Sequence, residues 1–216
     1  MSPSRLPPLI LASQSPARRQ LLTNAGIPFA VEPSGFDEDQ VQSTDPVALV
    51  KALAEQKAVT VAARHPDPVL VLGADSVLYL HGQIYGKPDS PQEAENRWRQ
   101  MRGQVGELFT GHALIDTSTG KHIVHYGLTR IFFAKPSDEE IRAYVATEEP
   151  LACAGCFAID GLGSIFVERI EGCHGNVIGL SLPLLRHMMA ELGYSIADYW
   201  LIGNTRDPSR DERIRI

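Results

Sequence analysis

Two arginines near the amino terminus lie where a helix ordinarily prefers acidic residues. In the segment LASQSPARRQLL (residues 11–22), Ser15 and Pro16 are typical of a helix N-cap and of the first helical position. Arg18 and Arg19 then fall in the first turn of that helix. A helix N-terminus already carries positive partial charge and prefers anions. The two arginines therefore indicate that a negatively charged ligand binds at this turn.

Acidic residues at two further positions are suited to a metal ion. Asp75 lies near the end of the apolar run PVLVLGADSVLYL (68–80). An aspartate there is either a turn residue or a carboxylate at the sheet edge where α/β proteins bind ligands. The segment FDED (36–39) supplies more carboxylates, which by themselves are typical of a solvated loop. Together with Asp75 they form the kind of oxygen donor set that hard divalent cations prefer.

Two lysines add positive charge to this set. Lys57 shares the apolar face of a helix predicted over 46–63, where it either extends its ammonium to water or binds an anion. Lys87, in the segment YGKP, follows a glycine and precedes a proline, so its backbone is held and its side chain directed. Cations suited to phosphate, combined with acids suited to a metal, predict a site for a nucleotide phosphate chain.

The three cysteines favour a structural role. Cys153 and Cys156 form a C-x-x-C pair, and Cys173 is followed by His174. A zinc site needs four converging ligands, and a redox pair would need a thioredoxin-like βαβ context. Buried structural thiols are therefore the favoured interpretation. The sequence contains neither of the common glycine-rich nucleotide motifs.

The elements that must position these residues alternate between strands and helices. A short STGK segment joins two of the strands as a hairpin, so we expect an α/β fold with a mixed sheet. The strand over 68–80 is expected to break at Gly73. The predicted strands are 8–12, 27–31, 68–80, 106–117 and 122–134, and the predicted helices are 16–25, 46–63, 91–102, 138–146 and 181–192.

Composition narrows the classes of partner. The chain has 216 residues, of which 44% are hydrophobic and 21% charged, an ordinary globular composition. Its formal net charge of −6 argues against a nucleic-acid polymer as partner and is compatible with a local cationic pocket for a small anion. We expect no membrane association, because no apolar run approaches the length of a membrane span. The amino-terminal segment is too weakly apolar for a signal peptide, which predicts a cytoplasmic protein.

Several segments, taken in order, resemble the Maf family of nucleoside triphosphate pyrophosphatases over about residues 8–192. The resemblance implies a single domain over 1–216 and an elongated fold like that of inosine triphosphate pyrophosphatases, with two lobes around a cleft. It also implies a homodimer. The composition of residues 203–216 predicts a polar tail. The segments are LASQSPARRQLL, FDED, LAEQKA, GADSV, GKP, FTGHAL, EEPLACAGCFAIDGLG and NVIGLSLPLL.

The same resemblance implies a reaction and assigns residues to it. The reaction is metal-dependent hydrolysis of a nucleoside triphosphate to the monophosphate and pyrophosphate, with Mg²⁺ or Mn²⁺ as the cation and a link to cell-division arrest. Non-standard or modified nucleotides are candidate substrates. The resemblance makes Asp75 the general base and, with Glu38, a metal ligand, and it assigns phosphate binding to Arg18, Lys57, Lys87, Ser13 and Ser15. A second hypothesis is a non-catalytic nucleotide sensor that regulates septum formation.

Three positions are associated with base choice in the family, namely Ala17, Ser76 and Asp160. Their residue types are mixed between the branch that resembles dTTP/UTP enzymes and the branch that resembles 7-methyl-GTP enzymes. An ionised carboxylate accepts hydrogen bonds and donates none. Asp160 is therefore expected to favour a guanine-type base or cytosine, which present amino or imino donors, over thymine.

Overall fold

The computed structural model describes residues 6–204, which form one mixed sheet with helices on both faces. The strands are β1 (Leu9–Leu11), β2 (Phe29–Val31), β3 (Leu70–Leu80), β4 (Gln83–Tyr85), β5 (Val105–Asp116), β6 (Lys121–Phe133) and β7 (Val167–Glu171). The helices are α1 (Pro16–Asn24), α2 (Pro46–Ala62), α3 (Pro91–Met101), α4 (Asp138–Val145), α5 (His174–Ile178), α6 (Leu182–Glu191) and α7 (Ile196–Asn204). The predicted α/β class is confirmed.

The sheet has the order β2-β1-β3-β5-β6-β7, and β4 pairs with β3. β1 runs parallel to β2 and β3, whereas the pairs β3–β4, β3–β5, β5–β6 and β6–β7 are antiparallel. The expected mixed sheet is therefore present, and the hairpin predicted around STGK is the β5–β6 connection. The part of the predicted polar tail that follows residue 204 lies outside the described residues, and residues 203 and 204 belong to α7.

One edge of β3 has an opening between two partner strands. β1 pairs with residues 70–72 of β3, and β4 pairs with residues 78–80. β5 pairs with residues 70–79 along the opposite side. Within the described residues, positions 73–77 thus have no strand on the side of β1 and β4. The loops that follow β1 and β4 flank this opening, which is where a ligand can approach the backbone of the sheet.

β3 passes through Gly73 without interruption, so the predicted break there is wrong. The glycine is required by packing, because a Cβ at this position would lie 2.1 Å from the carbonyl oxygen of Ala54 in α2. The same holds for Gly111 of β5, where a Cβ would lie 2.0 Å from the carbonyl oxygen of Val50. The two glycines let α2 lie directly on the sheet. This close packing sets the distance between the strands and the side chains on the inner face of α2.

The opposite face of the sheet carries two hydrophobic clusters. One surrounds Trp98 and includes residues of α3 and α4. The other surrounds Leu22 and includes residues of α1, α6 and α7. Between the clusters lie buried polar side chains of β5, of β6 and of α5, the short helix that covers these two strands. They are Thr110, His112, Thr129 and Asn176.

Candidate active site

Asp75 lies inside β3, at the opening between β1 and β4. It pairs with Gly111 of β5, and its side chain lies on the face covered by α2. The predicted position near the end of the strand is therefore wrong, because Asp75 lies in the middle of β3, and the alternative of a turn residue is wrong as well. The residue is only 8% exposed. Burial raises the pKa of Asp75, although the Lys57 ammonium and the Arg18 guanidinium oppose that effect. A raised pKa moves the carboxyl toward the range in which a general base works efficiently.

Lys57 joins Asp75 to Glu38. Its ammonium donates to Oδ1 of Asp75 at 2.6 Å and contacts Oε1 of Glu38 at 2.7 Å. The predicted position on the apolar face of α2 is confirmed, because Lys57 is buried together with Val50, Leu53, Ala54, Ala58 and Val61. The alternative in which the ammonium extends to water is wrong, since the residue is 8% exposed.

The carboxylates of Asp75 and Glu38 fit a hard divalent cation. Both contact the same ammonium nitrogen, so they converge on one positive centre. Glu38 lies in a short 3₁₀ helix, Glu38–Gln40, and 56% of its side chain is exposed. Within residues 6–204 no group of three or more metal-ligating side chains occurs. One or two carboxylates completed by substrate phosphates and water is the arrangement that Mg²⁺ usually takes.

The guanidinium of Arg18 is held by three acceptors. Nε donates to the carbonyl oxygen of Gly179 at 2.8 Å, Nη1 to Oγ of Ser13 at 3.2 Å, and Nη2 to Oγ of Ser76 at 3.2 Å. Burial lowers the pKa of Arg18, and nearby carboxylates raise it. The group stays charged at neutral pH. Its terminal nitrogens carry further N–H groups, which have the planar geometry that suits a phosphate.

The turn before α1 is built as the sequence predicts. Oγ of Ser15 accepts the backbone N–H of Arg18 at 3.3 Å and caps the helix, and the N–H of Ser15 donates to Oγ of Ser13 at 3.2 Å. Both hydroxyl oxygens act as acceptors here, so their protons can be donated to a ligand. Of the two arginines, Arg18 is half-buried and makes these contacts, whereas Arg19 is exposed. Ala17, half-buried, lies between the cap and Arg18.

Ser76 points to the face opposite Asp75 and joins Arg18 to the interior. Its Oγ lies 2.9 Å from Oγ1 of Thr110, which donates to the backbone carbonyl of Asn176 at 2.9 Å. Because Thr110 has one hydroxyl proton and uses it on that carbonyl, Ser76 must donate to Thr110. The hydroxyl of Ser76 is thus engaged with Arg18 and Thr110. A role of Ser76 in base choice stays a prediction.

Lys87 and Asp160 lie in exposed loops near Cys153. Lys87 follows β4, and both side chains act electrostatically on the Cys153 thiol. The carbonyl oxygen of Gly86 accepts the N–H of Gly155 at 3.1 Å, which joins the two loops. Within the described residues, neither Lys87 nor Asp160 makes an ion pair with the other predicted site residues. Their assigned roles stay predictions.

Glu149 holds the loop that carries Asp160, a role that the sequence did not suggest. Its carboxylate accepts the hydroxyl of Tyr144 at 2.7 Å and the backbone N–H groups of Leu162 and Gly163, each at 2.9 Å. Burial raises the pKa of Glu149, but these hydrogen bonds outweigh it and leave the pKa below its usual range. Thr110, Glu149 and Asn176 all lie in the segments that carry the family resemblance, which is the signal that could have identified them.

The three cysteines are free thiols. Only Cys156 is buried, and Cys153 and Cys173 are half-buried, so the prediction of buried thiols holds for one of the three. Burial raises the pKa of the Cys156 thiol to about 11 and has the same effect on Cys153, where Glu149 and Asp160 add to it. High thiol pKa values leave little thiolate at neutral pH, which does not favour a redox role.

The sequence matches the model of the family described as Maf-like protein over residues 8–192. A relative from Synechococcus sp. (strain JA-2-3B'a(2-13)) is 72% identical over 195 residues, which cover 90% of this chain and 99% of that protein. A relative from Nostoc punctiforme is 57% identical over 196 residues, 91% of this chain and 99% of that protein. Both relatives are named "Nucleoside triphosphate pyrophosphatase".

A solved structure that matches part of this chain is the nucleoside-triphosphatase, or dITP/XTP pyrophosphatase, of Mycobacterium abscessus. The match has a TM-score of 0.37 and 12% sequence identity, and it covers 59% of this chain and 75% of that chain. In the described part of the chain, every helix is too short or too polar to cross a membrane.

Proposed function

Because the chain belongs to the Maf-like protein family, we propose that it hydrolyses nucleoside triphosphates to nucleoside monophosphate and pyrophosphate at the opening beside β3. The activity class predicted from the sequence agrees with the name that its relatives carry. The observation that carries the proposal is the convergence of two cations and two carboxylates at one point of the sheet. They are Arg18, Lys57, Glu38 and Asp75.

The cationic and hydroxyl side chains are proposed to bind the triphosphate, and the carboxylate of Asp75 is proposed to act on water. Arg18 and Lys57 offset the negative charge of the triphosphate, and Ser13 and Ser15 can donate their hydroxyl protons to phosphate oxygens. Lys87, on the far side of the opening, is proposed to contact the outer phosphates. Asp75 is proposed to orient the attacking water and accept its proton, because its burial raises its pKa toward the working range of a base.

Mg²⁺ or Mn²⁺ is the proposed cofactor, held by Asp75 and Glu38. When bound, such a cation would offset the charge that develops on the leaving pyrophosphate. Chelation with EDTA is expected to abolish hydrolysis, and added Mg²⁺ or Mn²⁺ to restore it. A cytoplasmic location, a homodimer, a single domain over 1–216 and a link to cell-division arrest stay predictions from the sequence.

The test is a product analysis of the full-length protein. It is incubated with Mg²⁺ and GTP, 7-methyl-GTP, CTP, UTP or dTTP, and the products are quantified. We expect equal amounts of monophosphate and pyrophosphate from at least one of these nucleotides. Release of orthophosphate with a nucleoside diphosphate would contradict the proposed bond cleavage. Nucleotide binding without any product would favour the alternative, a non-catalytic sensor that regulates septum formation.

Asp160 is proposed to select the base. Its carboxylate can accept from the donors of guanine or cytosine, whereas it repels the carbonyl oxygens that flank the one imino donor of thymine and uracil. We expect Asp160→Gln to shift the ranking of kcat/KM toward dTTP or UTP, since an amide can also donate. The control is Asp67→Asn, an exposed acid just before β3. An unchanged ranking would remove Asp160 from base selection.

A further inference from the structure

The proposed activity gives no role to Asn176, the first residue of the segment NVIGLSLPLL. Asn176, in α5, is fully buried between the two hydrophobic clusters. Its Nδ2 donates to the carbonyl oxygen of Leu108 in β5 at 3.2 Å and to Oγ1 of Thr129 in β6 at 3.1 Å. The side chain therefore attaches a short helix to two strands of the sheet.

The space for this amide is made by a glycine. At Gly127 of β6 a Cβ would lie 2.2 Å from Oδ1 of Asn176, so no larger residue fits while the amide stays in place. Within the described residues, Oδ1 of Asn176 has no hydrogen-bond partner. An unpaired buried oxygen destabilises the folded state. Buried polar groups without a partner are rare in native structures, and here the contacts of Nδ2 with β5 and β6 explain why the amide is kept.

Two series of hydrogen bonds connect the backbone carbonyl of Asn176 with the guanidinium of Arg18. The carbonyl of Asn176 accepts the hydroxyl of Thr110, Thr110 accepts from Ser76, and Ser76 accepts from Nη2 of Arg18. The same carbonyl accepts the N–H of Gly179 at 3.1 Å, and the carbonyl of Gly179 accepts Nε of Arg18 at 2.8 Å. Two of the three acceptors that hold the guanidinium thus depend on the placement of α5.

We infer that Asn176 is a positioning residue for Arg18. By pinning α5 to β5 and β6, its side chain sets where Gly179 and Ser76 hold the guanidinium, and so where the remaining N–H groups meet a phosphate. This inference rests on the proposed phosphate-binding role of Arg18. A planar guanidinium binds phosphate through directed N–H groups, so its orientation matters as much as its charge.

The first measurement is the affinity of the full-length protein for inorganic pyrophosphate with Mg²⁺, by calorimetry. We expect Asn176→Ala to weaken binding by about tenfold or more, because small displacements of an orienting group have large effects. Gly127→Ala, on a different element, is expected to give the same loss by displacing the amide. The control Ile141→Ala truncates a buried residue of α4 in the Trp98 cluster and is expected to leave the affinity unchanged.

A double-mutant cycle separates positioning from general destabilisation. If Asn176 acts through Arg18, then adding Asn176→Ala to Arg18→Ala causes little further loss of affinity. Equal losses in both backgrounds would overturn the inference. A wild-type affinity in Asn176→Ala would also overturn it. If Arg18→Ala itself binds pyrophosphate normally, the proposed role of Arg18 fails instead, and with it the basis of the inference.

A spectroscopic readout reports the position of Arg18 directly. The Nε–H of Arg18, which donates to Gly179, is expected to give an exchange-protected ¹⁵N–¹H signal, assigned by its absence in Arg18→Ala. We expect this protection to be lost in Asn176→Ala and Gly127→Ala and retained in Ile141→Ala. Retained protection in both of the first two variants would show that Asn176 does not position the guanidinium.

Discussion

At the scale of single residues, the electrostatics of the site depend on Lys57. Its ammonium lies between the buried carboxylate of Asp75 and the half-exposed carboxylate of Glu38. A buried ion pair is costly to form, and removal of one partner leaves an uncompensated charge. Lys57 is therefore expected to contribute to the stability of the fold in addition to its proposed role in phosphate binding.

We expect Lys57→Met to lower the free energy of unfolding by about 3 kcal/mol, the range for one missing partner of a buried pair. Lys51→Met is the matched control, because Lys51 lies on the same helix and is more exposed. Urea denaturation of both variants gives the comparison. Equal midpoints for the two variants would show that the Lys57 ion pairs contribute nothing to stability.

The sequence could identify residue types but not their long-range partners. The position of Lys57 followed from helical periodicity, and the cap at Ser15 followed from local chemistry. The contacts of Arg18 with Ser76 and Gly179 join residues 58 and 161 positions apart. No local pattern encodes such contacts, so periodicity and capping chemistry gave no role to Asn176, Thr110 and Glu149, which only their place in the family-resembling segments could have indicated.

At the scale of elements, α1 delivers Arg18 to the site through its capped first turn. Its N-cap, Ser15, resembles the N-cap of α4, Ser137, whose Oγ accepts the N–H of Glu140 at 3.2 Å. The two helices thus carry equivalent caps, and only one of them adjoins the site. Alanine variants of the two N-cap serines therefore separate the effect of a cap on stability from its effect on nucleotide binding.

We expect Ser15→Ala and Ser137→Ala each to lower the free energy of unfolding by about 1 kcal/mol. Only Ser15→Ala is expected to raise KM for the nucleotide, because it loosens the turn that holds Arg18 and removes a hydroxyl proton donor. Thermal unfolding and steady-state kinetics of the two variants provide the test. A similar rise of KM in both variants would contradict a specific role of the α1 turn.

The elements that depend on local sequence could be predicted, and those that depend on tertiary packing could not. Strands and helices with clear periodicity or caps, such as α2 and the β5–β6 hairpin, were predicted within a few residues. Gly73 was misinterpreted as a break, because its cause is the approach of α2 from 19 residues earlier, at Ala54. The helix α7 was not predicted, and the pairing order of the strands could not be, since both depend on tertiary packing.

At the scale of the whole molecule, a buried histidine makes the stability of the fold depend on pH. His112 of β5 donates through Nδ1 to the carbonyl of Thr110 and accepts the N–H of Ser181 through Nε2, so it is neutral. Burial lowers its pKa to about 4; the hydrogen bond to Thr110 opposes this, and the charges of Arg18 and His125 add to it. The imidazole binds a proton more readily in the unfolded chain, and acid therefore favours unfolding.

We expect this contribution to be negligible above about pH 6.5 and to cost about 3 kcal/mol as the pH falls toward about 4. His112→Gln is expected to be less stable at neutral pH and to lose less stability in acid. His81→Asn, at an exposed turn, is the control and is expected to keep the wild-type dependence. Chemical denaturation from pH 7.5 to pH 4.5 checks this, and parallel curves for wild type and His112→Gln would contradict it.

The central claim is that Asp75, at the opening beside β3, promotes hydrolysis of a nucleoside triphosphate between its α- and β-phosphates. The most direct measurement is the rate of pyrophosphate release by Asp75→Asn, at saturating Mg²⁺ and nucleotide, relative to wild type. The account predicts a decrease in kcat of at least about 100-fold, the magnitude of general-base catalysis, in a protein that remains folded. Turnover close to that of wild type would contradict it.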